Sequence, residues 1–170
     1  METLETIKTR RSIRKYKNTE LSEEDIIPLI RAAMYAPSAG NQQPWEFMII
    51  DDKAILEQIA IKHSNAHMVD KAPAAVLICA DLSREKHKNF WIQDCAAATQ
   101  NFLLAAHANE LGACWVGIYP RKNRVADIET MFELPKQIIP FSLIPVGYPD
   151  ETIAKPDRFD SSRIHKNHWG

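Results

Sequence analysis

The chain has 170 residues, 45% hydrophobic and 25% charged, with a formal net charge of −1. This suits one domain over residues 1–170 with a substantial core, and it excludes a general electrostatic grip on nucleic acid or an acidic membrane, so basic groups must act locally. METLETIKTRR carries no apolar stretch of an export signal, and no apolar run reaches the roughly 20 residues of a membrane helix, so a cytoplasmic protein is expected.

Residues 3–9 read as a first short helix. Behind it, TRRSIRKY places Arg10, Arg11, Ser12 and Arg14 within five residues. Forked guanidinium donors beside a hydroxyl suit a phosphate dianion, each charge-assisted bond contributing about 1.5–3 kcal/mol. A solvated basic turn is the other reading. Ser22-Glu23-Glu24-Asp25 reads as a capping box opening a helix over residues 22–35, with Leu21, Ile26, Leu29, Ile30 and Ala33 facing inward. Pro37 ends it, and PSAGNQQPW, residues 37–45, reads as a polar loop.

A strand is predicted over 45–50 and a helix over 53–62, capped by Asp52. The continuous apolar run AAVLICA, 74–80, predicts a strand buried on both faces. Residues 91–111 form the longest predicted helix. It is apolar around most of its circumference, and its alanines allow close approach, so it belongs in a core or at a subunit interface. Gly112 fits its C-terminal cap. A second buried strand is expected over 113–118, a helix over 124–132 and a third strand over 141–148. Alternating helices and strands define an α/β or α+β fold around a central sheet. The polar tail after Pro149, ending Asn167-His168-Trp169-Gly170, fits packing on a partner subunit.

Neither GxGxxG nor GxxxxGK[ST] occurs, and there are only five glycines. A phosphate would therefore be held by side chains, which returns attention to Arg10, Arg11, Ser12 and Arg14. In the 37–45 loop, the amides of Asn41 and Gln43 match the alternating donors and acceptors of a flavin-like ring edge; satisfying the loop's own backbone is the alternative. Cys79, Cys95 and Cys114 lie in apolar stretches without a CxxC spacing and read as buried free thiols. His63 and His67 have helical metal-ligand spacing but no third ligand, so no metal site is expected. Asp94 reads as a cap or buried polar contact, Lys86-His87-Lys88 as a solvated loop, and Phe90 and Trp91 as packing residues.

TRRSIRKY, APSAGNQQPWEF, AVLICAD, QDCAAATQNFLLAAHANELGACWVGIYP and IPFSLIPVGYP, in that order and across nearly the whole chain, resemble the FMN-dependent nitroreductase family. The resemblance implies an α+β fold with a mostly antiparallel sheet between helices. It also implies an intertwined homodimer binding two FMN molecules at the subunit interface. Electrons would pass from NADH or NADPH to the flavin, then to nitroaromatics, quinones or similar acceptors, in a ping-pong sequence. Arg10 and Ser12 match positions binding the phosphate and ribityl chain. Arg11 matches one near the ring system, and Arg14 one near flavin N1 and O2. Pro37, Ser38, Ala39 and Asn41, with Gln43, match the loop reaching the partner's FMN. Gly117 and Ile118 match the segment whose backbone N–H faces flavin N5. The family's basic pair that closes on the phosphate falls on Lys155-Pro156-Asp157-Arg158, with Arg158 the first choice, Lys155 the second and Asp157 a departure. No catalytic side chain is implied, because the cofactor carries the chemistry. Two alternatives stay open: an FMN-binding or sensing module without turnover, and specialised flavin chemistry such as reductive dehalogenation on the same fold.

Overall fold

The structure, a computed structural model, describes residues 2–169. Its elements are α1 (Thr3–Thr9), α2 (Glu23–Met34), β1 (Trp45–Ile50), α3 (Lys53–Lys62), β2 (Ala74–Asp81), α4 (Trp91–Ala108), β3 (Gly112–Ala113), β4 (Val116–Gly117), α5 (Lys122–Met131) and β5 (Ile138–Gly147). The sheet order is β1-β2-β5-β3, with β4 also on β5, and every ladder between these strands is antiparallel.

Start signals written in the sequence act where they stand. The Asp25 carboxylate reaches back to accept from the Ser22 N–H at 2.8 Å, opening α2. The Asp52 carboxylate accepts from the N–H groups of Ala54 and Ile55, opening α3. β2 is buried on both faces because its side chains alternate between two cores. Ala74, Val76, Ile78 and Ala80 face the cluster built by α2 and α4. Ala75, Leu77 and Cys79 face Leu56 and Ile59 of α3 and Ile128 of α5. The fold is therefore α+β, with an antiparallel sheet between two helical layers.

α5 and β5 begin two and three residues before the expected 124 and 141, and two further departures from the sequence reading have a clear physical cause. α4 ends at Ala108 with Asn109 as its C-cap, and the next residue, Glu110, takes the left-handed region (φ 61°). Glu110 N–H donates to His107 O at 3.1 Å and Leu111 N–H to Ala106 O at 2.9 Å, a Schellman pairing. Gly112 is thereby freed for close packing. The strand expected over 113–118 is split into β3 and β4, although both keep one register against β5. Cys114 falls opposite Pro145. Its N–H donates to Pro145 O at 3.4 Å, but proline has no N–H to return, so the ladder lapses there.

Candidate functional site

The outer side of β3 carries the N-terminal segment. Ile13 N–H donates to Ala113 O at 3.1 Å, and Ser12 forms a parallel bridge with Ala113. Gly112 permits this approach, since a Cβ there would stand 2.6 Å from Cγ2 of Ile13. Past Ala113 the edge is open. Ile118 N–H donates to Phe141 O at 3.1 Å, so the alternation of the ladder turns both backbone groups of Gly117 away from β5. Of the two N–H groups singled out from the sequence, that of Ile118 is held by the sheet and that of Gly117 faces the edge. Arg14, Asn65, His67, Trp115, Gly117 and Arg124 line a cleft of about 360 Å³ there. Arg124 is buried, and its Nη1 donates to Gly117 O at 2.7 Å.

Beside this edge the cations gather. Burial above all, then the neighbouring Arg158 and Arg11, holds the Arg10 guanidinium below its usual range. Among the described residues, no carboxylate forms an ion pair with Arg10, Arg11 or Arg158. Arg11 Nε donates to Ala154 O at 3.0 Å, and its Nη1 to Lys8 O and Arg10 O. Its Nη2 is buried without a partner. Lys155 pairs instead with Glu5 at 3.2 Å. The Ser12 carbonyl accepts a long bond from Arg14 Nη1, 3.4 Å. His107 completes the cluster, its Nε2 lying 2.8 Å from Thr9 Oγ1. Burial, followed by the charges of Arg10 and Arg11, pushes this imidazole's pKa down.

The polar loop is built differently. Asp94, buried on α4, accepts from Ala39 N–H at 3.0 Å and from Gln42 Nε2 at 2.6 Å. Gln42 Oε1 in turn accepts from the N–H groups of Lys86 and His87. Ser38 Oγ accepts from Gln43 N–H, and Gln43 Nε2 donates to Asn41 Oδ1 at 3.0 Å. Gly40, Asn41 and Gln43 all have positive φ (53°, 54° and 46°), and the last two are strained there. Asn41, Gln43 and Pro37 remain exposed, while Ser38 and Ala39 are half-buried. Asp94 and His107 stand 13 residues apart on α4, about 20 Å along its axis. Within one chain, the arginine segment and the loop thus occupy opposite ends of that helix.

All three thiols are buried and free. Burial raises each pKa, that of Cys79 to about 12, so none is an activated nucleophile. Sequence reasoning missed Gln42, His107 and Arg124. Only Arg124 left a signal, a cation in the first turn of α5 with no acidic residue there, where the helix dipole disfavours it.

A model of the nitroreductase family matches residues 7–62 and 57–148. A protein of Methanothermobacter thermautotrophicus, provisionally named NADH dehydrogenase/NAD(P)H nitroreductase, is 48% identical over 99% of this chain and 88% of its own length. A crystal structure of a Parabacteroides distasonis protein with the same provisional name superposes with a TM-score of 0.94 at 40% identity, covering 98% of each chain. An FMN-dependent nitroreductase from Clostridium difficile superposes with a TM-score of 0.90 at 29% identity, covering 98% of this chain and all of that one. An antiparallel sheet between two helical layers, with an arginine-rich segment along its outer edge, defines the class. The chain belongs to the nitroreductase family.

Proposed function

We propose that the chain, as one flavin-binding domain over residues 1–170, is an FMN-dependent NAD(P)H oxidoreductase acting as a homodimer. The observation that carries this is the group of unneutralised guanidiniums, Arg10, Arg11 and Arg158, with a buried Arg11 Nη2 that has no acceptor. A bound phosphate supplies that acceptor and offsets the repulsion. The cleft fits the ring end: a Cβ on Gly117 would meet nothing within 4 Å, so its glycine is not required by contacts within the chain and leaves space for a flat ligand.

FMN, when bound, supplies the chemistry of hydride uptake and release. Arg10, Ser12 and Arg158 hold its phosphate and ribityl end, with Lys155 in reserve on Glu5, and Arg11, matched by the resemblance to a position near the ring system, turns its free Nη2 to the phosphate instead. Arg14, which lines the cleft, would hold the ring end and supply a positive charge there, which favours electron uptake by the ring. Gly117 offers its N–H toward N5. Asn41 and Gln43, with Pro37, Ser38 and Ala39, contact the ring from the second subunit, because in one chain they lie at the far end of α4. The exposed Phe159 (76%), Ile164 (64%) and Trp169 (90%) of the tail suit burial against that subunit. Acceptors are small oxidants such as nitroaromatics and quinones, reduced in a ping-pong sequence.

Purified protein should be yellow, and NADH or NADPH should bleach it anaerobically. Protein that stays colourless after incubation with FMN sinks the proposal. Flavin binding without reduction by either pyridine nucleotide reduces it to a binding module. Dilution to monomer should release the flavin; a monomer retaining it stoichiometrically contradicts the shared site.

A further inference from the structure

Arg124 has no role in the reading above, yet its placement is costly. It is 8% exposed, and among the described residues no carboxylate forms an ion pair with it. It stands in the first turn of α5, where the helix dipole already presents positive charge. Burying a guanidinium under those conditions destabilises a fold unless the charge serves something nearby. Its Nη1 donates to Gly117 O at 2.7 Å. Because β4 turns the N–H and C=O of Gly117 to the same open side, this bond ties the residue's outward face to α5. It also puts a fixed cation beside its N–H.

We propose that Arg124 is a positioning residue: it pins the Gly117 backbone so that the free N–H keeps one direction toward the cleft, and it sets a permanent positive charge where a bound flavin receives electrons. The proposal rests on the flavin reading of the cleft. The ladder with β5 sets the side of β4 toward which the Gly117 groups point; because Gly117 has no side chain of its own, the Arg124 bond is the restraint added on that outward side, and it narrows the direction of this N–H. Arg14, Arg124 and the N-terminus of α5 then form one positive wall along the sheet edge.

The test compares wild type with R124M, which keeps bulk and removes charge, and R124K, which keeps charge. The readout is the two-electron midpoint potential of bound FMN, with circular dichroism confirming the fold. Loss of the cation should disfavour the electron-rich reduced ring. R124M should lower the reduction equilibrium constant at least tenfold, about 30 mV for a two-electron couple, while R124K stays within about half that shift. An R124M protein that binds FMN at the wild-type potential overturns the role of Arg124 and leaves the flavin site standing. Wild type that takes up no FMN overturns both. If R124M does not fold, the guanidinium protons of Arg124 in wild type decide the matter. Exchange slowed well below that of free arginine supports the tether, and exchange at the free rate overturns it.

Discussion

The two ends of α4 carry polar groups under opposite rules. At its N-terminal end, Asp94 and Gln42 satisfy one another and the loops around them, so loop 37–44 is complete within the chain. At its C-terminal end, Arg10, Arg11 and Arg158 crowd together with no carboxylate partner among the described residues and one buried Nη2 unused. A self-satisfied polar cluster rigidifies a fold, whereas an unsatisfied one costs stability until a ligand completes it. The contrast makes the Asp94–Gln42 base of the loop a scaffold that holds the exposed Asn41 and Gln43 in place, and leaves the arginine end as the one with donors to spare for the binding proposed above.

The sharpest way to break it is Asp94→Ala. The buried Gln42 amide and the half-buried Ala39 N–H would lose their acceptor, the buried one at about 1–3 kcal/mol and the other at less, so urea denaturation should register a loss of about 1–4 kcal/mol. A loss under about 0.5 kcal/mol, the range of neutral surface changes, would remove the scaffold role. Arg10→Ala should behave in the opposite sense: FMN affinity weaker by about 1.5–3 kcal/mol, with apoprotein stability unchanged or raised because a like-charge contact is relieved. Apoprotein destabilised by this change would make Arg10 structural. Inorganic phosphate offers a third handle. At a hundredfold excess over its Kd it should stabilise wild-type apoprotein by about 2.7 kcal/mol, and Arg10→Ala should abolish most of that gain at the same concentration. An equal gain in the variant moves the anion site elsewhere.

The smallest effect concerns pH. Burial, as the leading cause, holds both His63 and His107 below their usual pKa. An imidazole depressed in the folded state binds its proton first in the unfolded chain. Stability is therefore full above about pH 6.5, the unfolded value, and declines as pH falls below it. Denaturation midpoints at pH 7.5 and 5.5 should fall in that order, and His63→Gln should flatten the slope. A flat wild-type profile would show that neither histidine is linked to folding.

Much of the fold was legible in local pattern. Ser22 with Asp25, and Asp52, announced two helix starts, and the run 74–80 announced a doubly buried strand, because capping and side-chain alternation are short-range effects. The division of 113–118 was not legible, since its cause, Pro145, lies 31 residues beyond Cys114 and acts only across a ladder. Gly112 looked like a cap because nothing local reveals that Ile13 will lie against it. Of the candidate site, the arginine density could be read directly. The ranking of Arg158 ahead of Lys155 came from the family resemblance alone; that Lys155 pairs with Glu5 while Arg158 stands beside Arg10 is a tertiary contact that no local pattern shows.

The order of residues by itself determined an alternation of helices and strands around a central sheet, an α/β or α+β fold that the family resemblance narrowed to α+β, and it marked out a dense group of guanidinium donors, because periodicity, caps and donor density are properties of neighbouring residues. Only the tertiary structure decided which backbone N–H at residues 117–118 is free, which cations stand without an ion pair among the described residues, and that the arginine segment and the 37–45 loop lie about 20 Å apart along one helix. Those depend on strand register and on contacts between segments up to 150 residues apart, as between Glu5 and Lys155, and no local pattern encodes them.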